Sequence, residues 1–457
     1  MRPDRYFPRF TLKREGTIAP DERLPWGPTL AVGVQHIFAM FGATVLAPML
    51  MGFDPNTALF FSGVGTLLFF VLVGGRVPSY LGSSFAFIAV VIAATGYAGS
   101  GPNPNLGVAL GGIIAAGLLY TLIGLAVQAV GYAWIERLMP PVVTGAVVAV
   151  IGLNLAPVAI RSVSGSGFDT GIGLLTVAAV ALVAVYAPGL LHRLPILLGG
   201  VVGYLAYLAL ANGLGWARPI DFAAVASAAW IGWPRFTAPV FEPGAMTLIA
   251  PVAIVLVAEN LGHVKAVAAM TGRSLDRYLG RAFIGDGLAT MLAGAGGGTG
   301  VTTYAENIGV MAVTRIYSSL VFVVAALAAL VMGVSPKFGV LIGTIPAPVL
   351  GGLSIVLFGL IAATGGRIWV QNRVDFSASR NLVTAAVTLT LGAGDLILRW
   401  GGFSLGGIGT ATFGALLLYQ VLKHRGAPPA APADEEPAVA LDPLGAVQPS
   451  ASHRDPG

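Results

Sequence analysis

The sequence is poor in charge and contains no cysteine. Of its 457 residues only 10% are Asp, Glu, Lys or Arg, whereas soluble domains carry about 25%. The absence of cysteine excludes a disulfide framework, a thiolate metal site and a cysteine nucleophile. A cleavable signal peptide is not expected either, because residues 1–28 mix both charge signs and lack an apolar core.

Apolar residues and glycine are abundant instead. Hydrophobic residues make up 56% of the chain, and 63 residues are glycine, which lets membrane helices approach closely. Stretches long enough to cross a bilayer recur along the chain, so we predict an all-α polytopic membrane protein with about fourteen transmembrane segments. We place these segments at 29–51, 57–74, 80–97, 107–130, 140–157, 171–188, 194–213, 245–265, 280–295, 302–314, 318–334, 338–363, 380–395 and 402–422.

The distribution of Lys and Arg predicts the orientation of these segments. With the N-terminus inside, all but five of the 25 basic residues fall on the cytoplasmic side, as the positive-inside rule expects. The five on the opposite side are Arg161, Arg218, Arg235, Lys337 and Arg399. The net charge of +5 therefore indicates orientation in a membrane, with both termini cytoplasmic, and not binding to nucleic acid.

Two pairs of similar stretches indicate an internal repeat. PVVTGAVVAVIGL (141–153) matches PVLGGLSIVLFGL (348–360), and SSFAF (83–87) more loosely resembles TTYAE (302–306). The charge map makes the two copies cross the membrane in opposite senses, so we predict two inverted seven-span repeats, as in many secondary transporters.

The predicted organisation has five parts. These are a cytoplasmic N-terminal segment (1–28), the first repeat (29–213), an external loop (214–244), the second repeat (245–422) and a tail (423–457). The tail is rich in Pro and Ala without helical periodicity, so we predict that it is disordered and cytoplasmic.

The third and tenth segments contain the sequences YLGSSFAFIAV and TGVTTYAENIGV. In both, Gly and a pair of hydroxyl residues (Ser in the first, Thr in the second) precede a short β-prone stretch. Non-helical backbone at membrane depth requires protein or a cavity to satisfy its hydrogen bonds. We predict that the two stretches pair as short antiparallel strands, which leaves backbone N–H groups and half-helix N-termini facing a polar ligand. The alternative is two flexible helices rich in small residues.

The predicted segments contain few ionisable residues, namely His36, Glu259, His263, Asp286 and Glu306. Glu259 and His263 lie four residues apart on one helix face and can share a proton, or they simply meet water near the cytoplasmic end. A metal site is disfavoured because the second His of a helical zinc motif is missing. Asp286 suits helix packing or hydrogen bonding, and a lone intramembrane His36 suits a structural role. Carboxylates with aromatic neighbours suit a small planar ligand such as a nucleobase, and intramembrane acids commonly carry protons.

Four stretches are distinctive in combination, namely QHIFAMFGATVLAP (35–48), YLGSSFAFI (80–88), AENLGH (258–263) and TTYAENIGVMAVTRIYS (302–318). Together they resemble the nucleobase–ascorbate transporter family (nucleobase:cation symporter-2), and within it the branch of uracil and pyrimidine permeases. The similarity covers roughly residues 25–425. It implies a core and a gate domain, with the binding site in the core between the strands of the third and tenth segments.

The resemblance also implies roles for individual residues. By motif position, Glu259 and Glu306 hydrogen-bond the nucleobase. Phe85 and Tyr304 flank it, and backbone N–H groups near Phe85 and Ala305 contribute. Ala305 stands where related permeases often have Gly, so the extra methyl group narrows the expected pocket.

Proton coupling is the second implied role. The resemblance implies that Glu259 is supported by His263, and that His36 is a nearby structural or coupling residue. The remaining motif positions are Asn307, Thr314 and Arg315.

The sequence and the resemblance together predict a proton-coupled importer of uracil, multi-pass in a bacterial inner (plasma) membrane. It would be a carrier and not an enzyme, with no catalytic residues, no metal and no cofactor apart from the proton. Expected partners are uracil or a related nucleobase, membrane lipid and a second copy in a homodimer. The rivals are a purine (xanthine or urate) permease of the same family, a sulfate-type anion carrier of the same fold, which intramembrane acids disfavour, and a membrane enzyme, which the lack of a Ser/His/Asp constellation disfavours.

Overall fold

The computed structural model describes residues 6–97, 101–188, 191, 194–400 and 403–423, so the predicted tail (423–457) lies outside the described residues apart from Lys423. The helices of the first half are α1 (Trp26–Met51), α2 (Pro55–Leu72), α3 (Ala86–Thr95), α4 (Leu106–Val130), α5 (Ala133–Leu138), α6 (Pro141–Val163), α7 (Gly167–Tyr186), α8 (Pro195–Leu208, continued by a π-helical turn, Ala209–Gly213) and α9 (Ala223–Ser227). Those of the second half are α10 (Pro243–Ile249), α11 (Val252–Thr271), α12 (Leu279–Gly296), α13 (Ala305–Thr314), α14 (Ser319–Gly333), α15 (Pro336–Gly343), α16 (Ala347–Gln371), α17 (Ser379–Ala393) and α18 (Gly407–Val421).

In the described residues, three short two-stranded sheets accompany the helices. They pair β1 (Thr11–Leu12) with β2 (Glu22–Arg23), β3 (Leu81–Ser83) with β4 (Val301–Thr303), and β5 (Leu398–Trp400) with β6 (Phe403–Leu405). The central pair, β3 and β4, is antiparallel, as the sequence predicts.

Each predicted transmembrane segment has a helix at its position. Within the described part of the chain, eight helical stretches are long and apolar enough to cross a membrane: α1, α2, α4, α6, α7, α8 with its π-helical turn, α10–α11 and α16. The remaining predicted segments fall on α3, α12, α13, α14, α17 and α18, which are shorter or less apolar. The chain is therefore a helical, multi-pass membrane protein.

The boundary predicted for the twelfth segment, 338–363, is wrong at its start. The apolar stretch is divided between α15 and α16, because Pro346 adopts an extended conformation that ends one helix and precedes the next. α15 is bent by 80° relative to α14. The repeat motif itself is placed equivalently in both copies, with Pro141 at the first position of α6 and Pro348 at the second position of α16.

The helix contacts follow an inverted repeat. Assigning the segments in order makes α2 equivalent to α12, α4 to α14, α6 to α16 and α7 to α17. The contact of α2 with α14 then corresponds to that of α12 with α4, and the contact of α7 with α16 corresponds to that of α17 with α6. The equivalent strands β3 and β4 run antiparallel. The two copies therefore cross in opposite directions, as in inverted-repeat transporters.

Two groups of segments result from these contacts. We use core domain for α1–α4 with α10–α14, and gate domain for α6–α8 with α16–α18. Close packing in the core depends on glycine where α4 meets α12. A Cβ on Gly117 would lie 2.7 Å from the carbonyl oxygen of Gly287, so a larger residue would push the helices apart.

The N-terminal segment is docked on the core domain. Ile18 is buried, and its backbone N–H and C=O bond the Arg315 carbonyl (3.0 Å) and the Tyr317 N–H (2.8 Å) just after α13. Asp21 forms an ion pair with Arg273 between α11 and α12 (2.9 Å). These long-range contacts were not predicted from the mixed-charge sequence.

Candidate functional site

The candidate site is built around the β3–β4 pair at the middle of the core domain. Leu81 pairs with Thr303 and Ser83 with Val301, and the Ser84 N–H extends the pairing to the Gly300 carbonyl (2.9 Å). Each strand leads into a short helix, β3 into α3 and β4 into α13. The N-termini of both helices consequently face the strand pair, where their backbone N–H groups favour an anion or a hydrogen-bond acceptor.

Glu306 and Ala305 lie at the start of α13. Ala305 is the first residue of the helix and is exposed, and Glu306, half-buried, is in the first turn. A carboxylate in the first turn of a helix is stabilised by the helix dipole. This explains how the chain retains an acidic residue in an apolar region, and it places the Glu306 side chain beside the free end of the helix.

Glu259 approaches the same region from a different segment. It is half-buried on α11, which contacts both β4 and α13. It lies within electrostatic range of Glu306 and Asp286. The structure therefore brings together the two carboxylates that the sequence singles out, although they are 47 positions apart in the chain.

His263 connects α11 to the strand pair. It lies one turn after Glu259, half-buried, and its Nδ1 is 2.9 Å from the Thr303 hydroxyl in β4. The alternative in which His263 simply meets bulk water does not fit this contact, because a buried strand residue holds the imidazole. For Glu259 both alternatives stay open. The participation of His263 in proton transfer stays a prediction.

Phe85 lies at the boundary between the core and gate domains. It is half-buried immediately before α3, and its ring makes an edge contact with Phe358 of α16, with ring centroids 6.1 Å apart. An aromatic ring in this position can stack on a planar ligand, and its contact with Phe358 would change if the gate domain moved.

Tyr304 holds the strand pair together. Its side chain is buried, its hydroxyl donates to the Ser83 carbonyl (2.7 Å) and lies 3.4 Å from the Thr44 hydroxyl. The ring lies against Gly82, where a Cβ would come within 2.5 Å of a ring carbon. The aromatic ring thus faces protein in this structure, and the flanking role implied for Tyr304 stays a prediction.

His36 and Asn307 form a buried pair between α1 and α13. The Asn307 side-chain amide donates to the His36 Nδ1 (2.9 Å) and to the His36 carbonyl (3.2 Å). An acceptor role for Nδ1 fits the neutral tautomer with its proton on Nε2. The His36 ring also packs against Phe322, at 4.7 Å between centroids. These contacts fix the position of α13 relative to α1.

The last two motif residues, Thr314 and Arg315, end α13. The Thr314 hydroxyl bonds the Val310 carbonyl within the same helix (2.8 Å), and Arg315 adopts a left-handed conformation (φ 54°) at the C-cap. Both residues lie at the opposite end of α13 from Glu306. Their contacts support the helix rather than the site.

A buried polar network beneath the strands was missed as a unit in the sequence. Asp286 of α12 accepts a bond from the Asn260 side chain (2.7 Å) and longer bonds from the hydroxyls of Tyr120 and Thr302 (3.4 Å each). The network joins α4, α11, α12 and β4. The sequence shows Asp286 in an apolar segment, but it does not show that partners from three other elements meet there.

The site combines carboxylates with backbone donors and an aromatic ring. Such a set can hydrogen-bond a small polar planar molecule, and its carboxylates can bind and release a proton. In the part of the chain that the structure describes, no group of three or more His, Asp or Glu residues could hold a metal ion.

Comparisons with known proteins agree with this architecture. Residues 27–399 match a family described as a permease family. A protein of Escherichia coli (strain K12), provisionally named pyrimidine permease RutG, is 63% identical over 423 residues, which are 92% of this chain and 96% of that protein. The uracil permease of Bacillus caldolyticus is 43% identical over 414 residues, which are 87% of this chain and 93% of the relative.

A solved structure shows the same fold. The transmembrane domain of the bicarbonate transporter BicA of a cyanobacterium superposes with a TM-score of 0.58 at 15% sequence identity, over 86% of this chain and 96% of that domain. At this identity the likeness concerns the fold alone.

The fold and the site together define a multi-pass membrane permease built from inverted repeats. The family match and the two relatives show which family of permeases this is. The chain belongs to the nucleobase–ascorbate transporter family.

Proposed function

We propose that the protein imports uracil together with a proton. The observation that carries the proposal is the placement of Glu259 and Glu306 beside the paired strands, where two short helices begin. Two relatives that match almost the whole chain are named as pyrimidine and uracil permeases, which supports a pyrimidine as the substrate.

The proposed site matches the hydrogen-bonding pattern of uracil. The ring N–H groups of uracil donate to carboxylates, its carbonyl oxygens accept from backbone N–H groups at the starts of α3 and α13, and its face stacks on Phe85. The exposed methyl group of Ala305 borders the same space and limits the size of the bound ring. The carboxylates also disfavour anionic cargo, because like charges repel in a low-dielectric site.

Proton coupling is assigned in the proposal to Glu259. It lies on the same helix face as His263, which is held by Thr303 of β4. Binding of a proton at Glu259 therefore changes the charge close to His263 and to β4, the strand that contributes to the substrate site. Acidic residues within membrane segments serve this purpose in many proton-driven carriers. We further propose an inner-membrane location with both termini in the cytoplasm, and a homodimer.

Substrate competition tests the proposed specificity. Purified protein in liposomes should take up labelled uracil, faster with an inward proton gradient, and unlabelled pyrimidines should compete while xanthine and sulfate should not. Competition by xanthine would favour a purine permease. Competition by sulfate would favour an anion carrier.

A further inference from the structure

The segment 229–236, between α9 and α10, presents apolar side chains to the outside of the protein. Trp230, Ile231 and Trp233 are 74%, 83% and 78% exposed. Three of the seven tryptophans of the chain lie between residues 214 and 243. Exposed aromatic residues so close together indicate an interaction surface.

This segment is fixed at the ends of three membrane helices. The Thr57 hydroxyl near the start of α2 donates to the Arg235 carbonyl (3.1 Å). The Gly232 N–H donates to the Val334 carbonyl after α14 (2.9 Å), and just past the segment the Thr237 N–H donates to the Gly296 carbonyl at the end of α12 (3.4 Å). Because α2 begins where α12 and α14 end, all three anchors lie at one face of the membrane domain. The segment therefore lies across the helix ends, at the level of the bilayer boundary.

Helix α15 contacts the segment and, like it, runs along the membrane surface. It is bent by 80° from α14, so it runs nearly parallel to the membrane plane if α14 crosses it. Phe338 packs inward against Phe41, with ring centroids 6.0 Å apart, whereas Leu341 is exposed. The Lys337 N–H donates to the Ala229 carbonyl (3.0 Å), and the Lys337 ammonium group lies 4.8 Å above the Trp230 ring. An apolar helix in the membrane plane with a cation beside it is typical of an interfacial element.

We propose that segment 229–236 and α15 form a lipid-binding surface, in which Trp230, Ile231 and Trp233 insert among phospholipid head groups and Lys337 meets the lipid phosphate. The surface is continuous with the lipid-facing side of α14, where Val331 is exposed close to the helix end. Tryptophan is favoured at this depth because its ring is apolar and its N–H is polar.

Spin labelling in lipid nanodiscs tests the proposal directly, since the chain contains no native cysteine. The discs contain phosphatidylcholine and phosphatidylglycerol and hold one copy of the protein. Ile231→Cys is labelled with a nitroxide, Val331→Cys is the lipid-facing reference, and Glu15→Cys, exposed in the polar N-terminal segment, is the water-facing reference. We expect the ratio of oxygen to nickel-chelate accessibility at position 231 to approach that at 331 and to exceed that at 15 severalfold.

Two outcomes would overturn the proposal. An accessibility ratio at 231 equal to that at 15 would place the segment in water. Shielding of 231 from both reagents would show that protein covers it.

If the labelled variant does not fold, quenching of the native tryptophan fluorescence by brominated phospholipid tests the same lipid contact. Wild type should then lose more fluorescence than the W230F/W233F variant, and equal losses would contradict lipid contact.

Discussion

Glu306 has a carboxylate in the first turn of α13, half-buried and next to the exposed methyl group of Ala305. The helix N-terminus compensates part of the cost of placing a charge in the membrane. An amide in its place would keep the shape of the side chain, but one of the two accepting oxygens would become an NH2 group, which only donates.

The variant Glu306→Gln should therefore bind uracil roughly 10- to 100-fold more weakly, because a charge-assisted hydrogen bond contributes about 1.5–3 kcal/mol. Calorimetric titration of the purified protein measures this change. The matched control is Glu242→Gln, which alters an exposed carboxylate before α10 and should leave binding unchanged. Wild-type affinity in Glu306→Gln would remove this residue from the site.

Tyr304 shows why a motif position does not reveal the direction of a side chain. The hydroxyl group donates to the Ser83 carbonyl inside the core domain. Tyr304→Phe would leave that carbonyl without this partner while it remains buried, so we expect the free energy of unfolding to fall by about 1 kcal/mol.

Thermal unfolding in detergent checks the Tyr304 prediction. The control is Tyr204→Phe, which removes a hydroxyl bonded to the Thr344 hydroxyl at a half-buried position (2.8 Å). This loss should cost less, because Thr344 keeps its bond to the Leu341 carbonyl (2.7 Å). A Tyr304→Phe protein as stable as wild type would mean that the bond to Ser83 contributes nothing to the fold.

At the scale of elements, the half-helices α3 and α13 were predictable and the helix α15 was not. Gly, Ser and Thr next to β-prone residues mark where a membrane helix is interrupted, and this pattern predicts both strands. The stretch 338–363 is apolar throughout, and hydropathy does not report that Pro346 divides it and that α15 turns by 80°. Likewise Glu259, Glu306 and His263 stand out in the sequence, but the partners of Asp286 come from distant elements and need coordinates.

Lys265 links α11 to the short helix α5, which connects the core domain to the gate domain. The ammonium group lies 3.0 Å from Asp276 and 3.5 Å from Glu136, and 4.4 Å above the Tyr132 ring. Partial burial of Asp276 would by itself raise the pKa of its carboxyl group. Hydrogen bonds from Tyr132 and Lys265 outweigh this effect and lower the pKa of Asp276 below its usual value of 3.8. The stability that this carboxylate contributes is complete above its unfolded pKa and is lost only as the pH falls below about 4.

Lys265→Met should lower the free energy of unfolding by at most about 1 kcal/mol near neutral pH, because the cluster is partly exposed to solvent. Added salt should narrow the difference from wild type. Unfolding curves at low and high ionic strength test both statements. The comparison is Lys13→Met, which breaks a single half-buried ion pair with Glu22 and a bond to the Thr17 carbonyl. A difference that does not respond to salt would show that lost packing, not charge, is responsible.

At the scale of the whole molecule, the inverted repeat places the site between two halves that cross the membrane in opposite directions. The paired strands bring together one half-helix from each half, and Phe85 touches Phe358 across the boundary with the gate domain. Movement of the core domain relative to the gate would expose the same site to either side, which is what a carrier requires.

The central claim, that uracil and a proton cross together at this site, is tested most directly by following the internal pH of liposomes that contain the purified protein. No proton gradient is present at the start, and uracil is added outside. We predict acidification of the interior by uracil but not by xanthine or sulfate, and no acidification with Glu259→Gln although labelled uracil still exchanges. Uracil entry without any change in internal pH in the wild type would contradict the account.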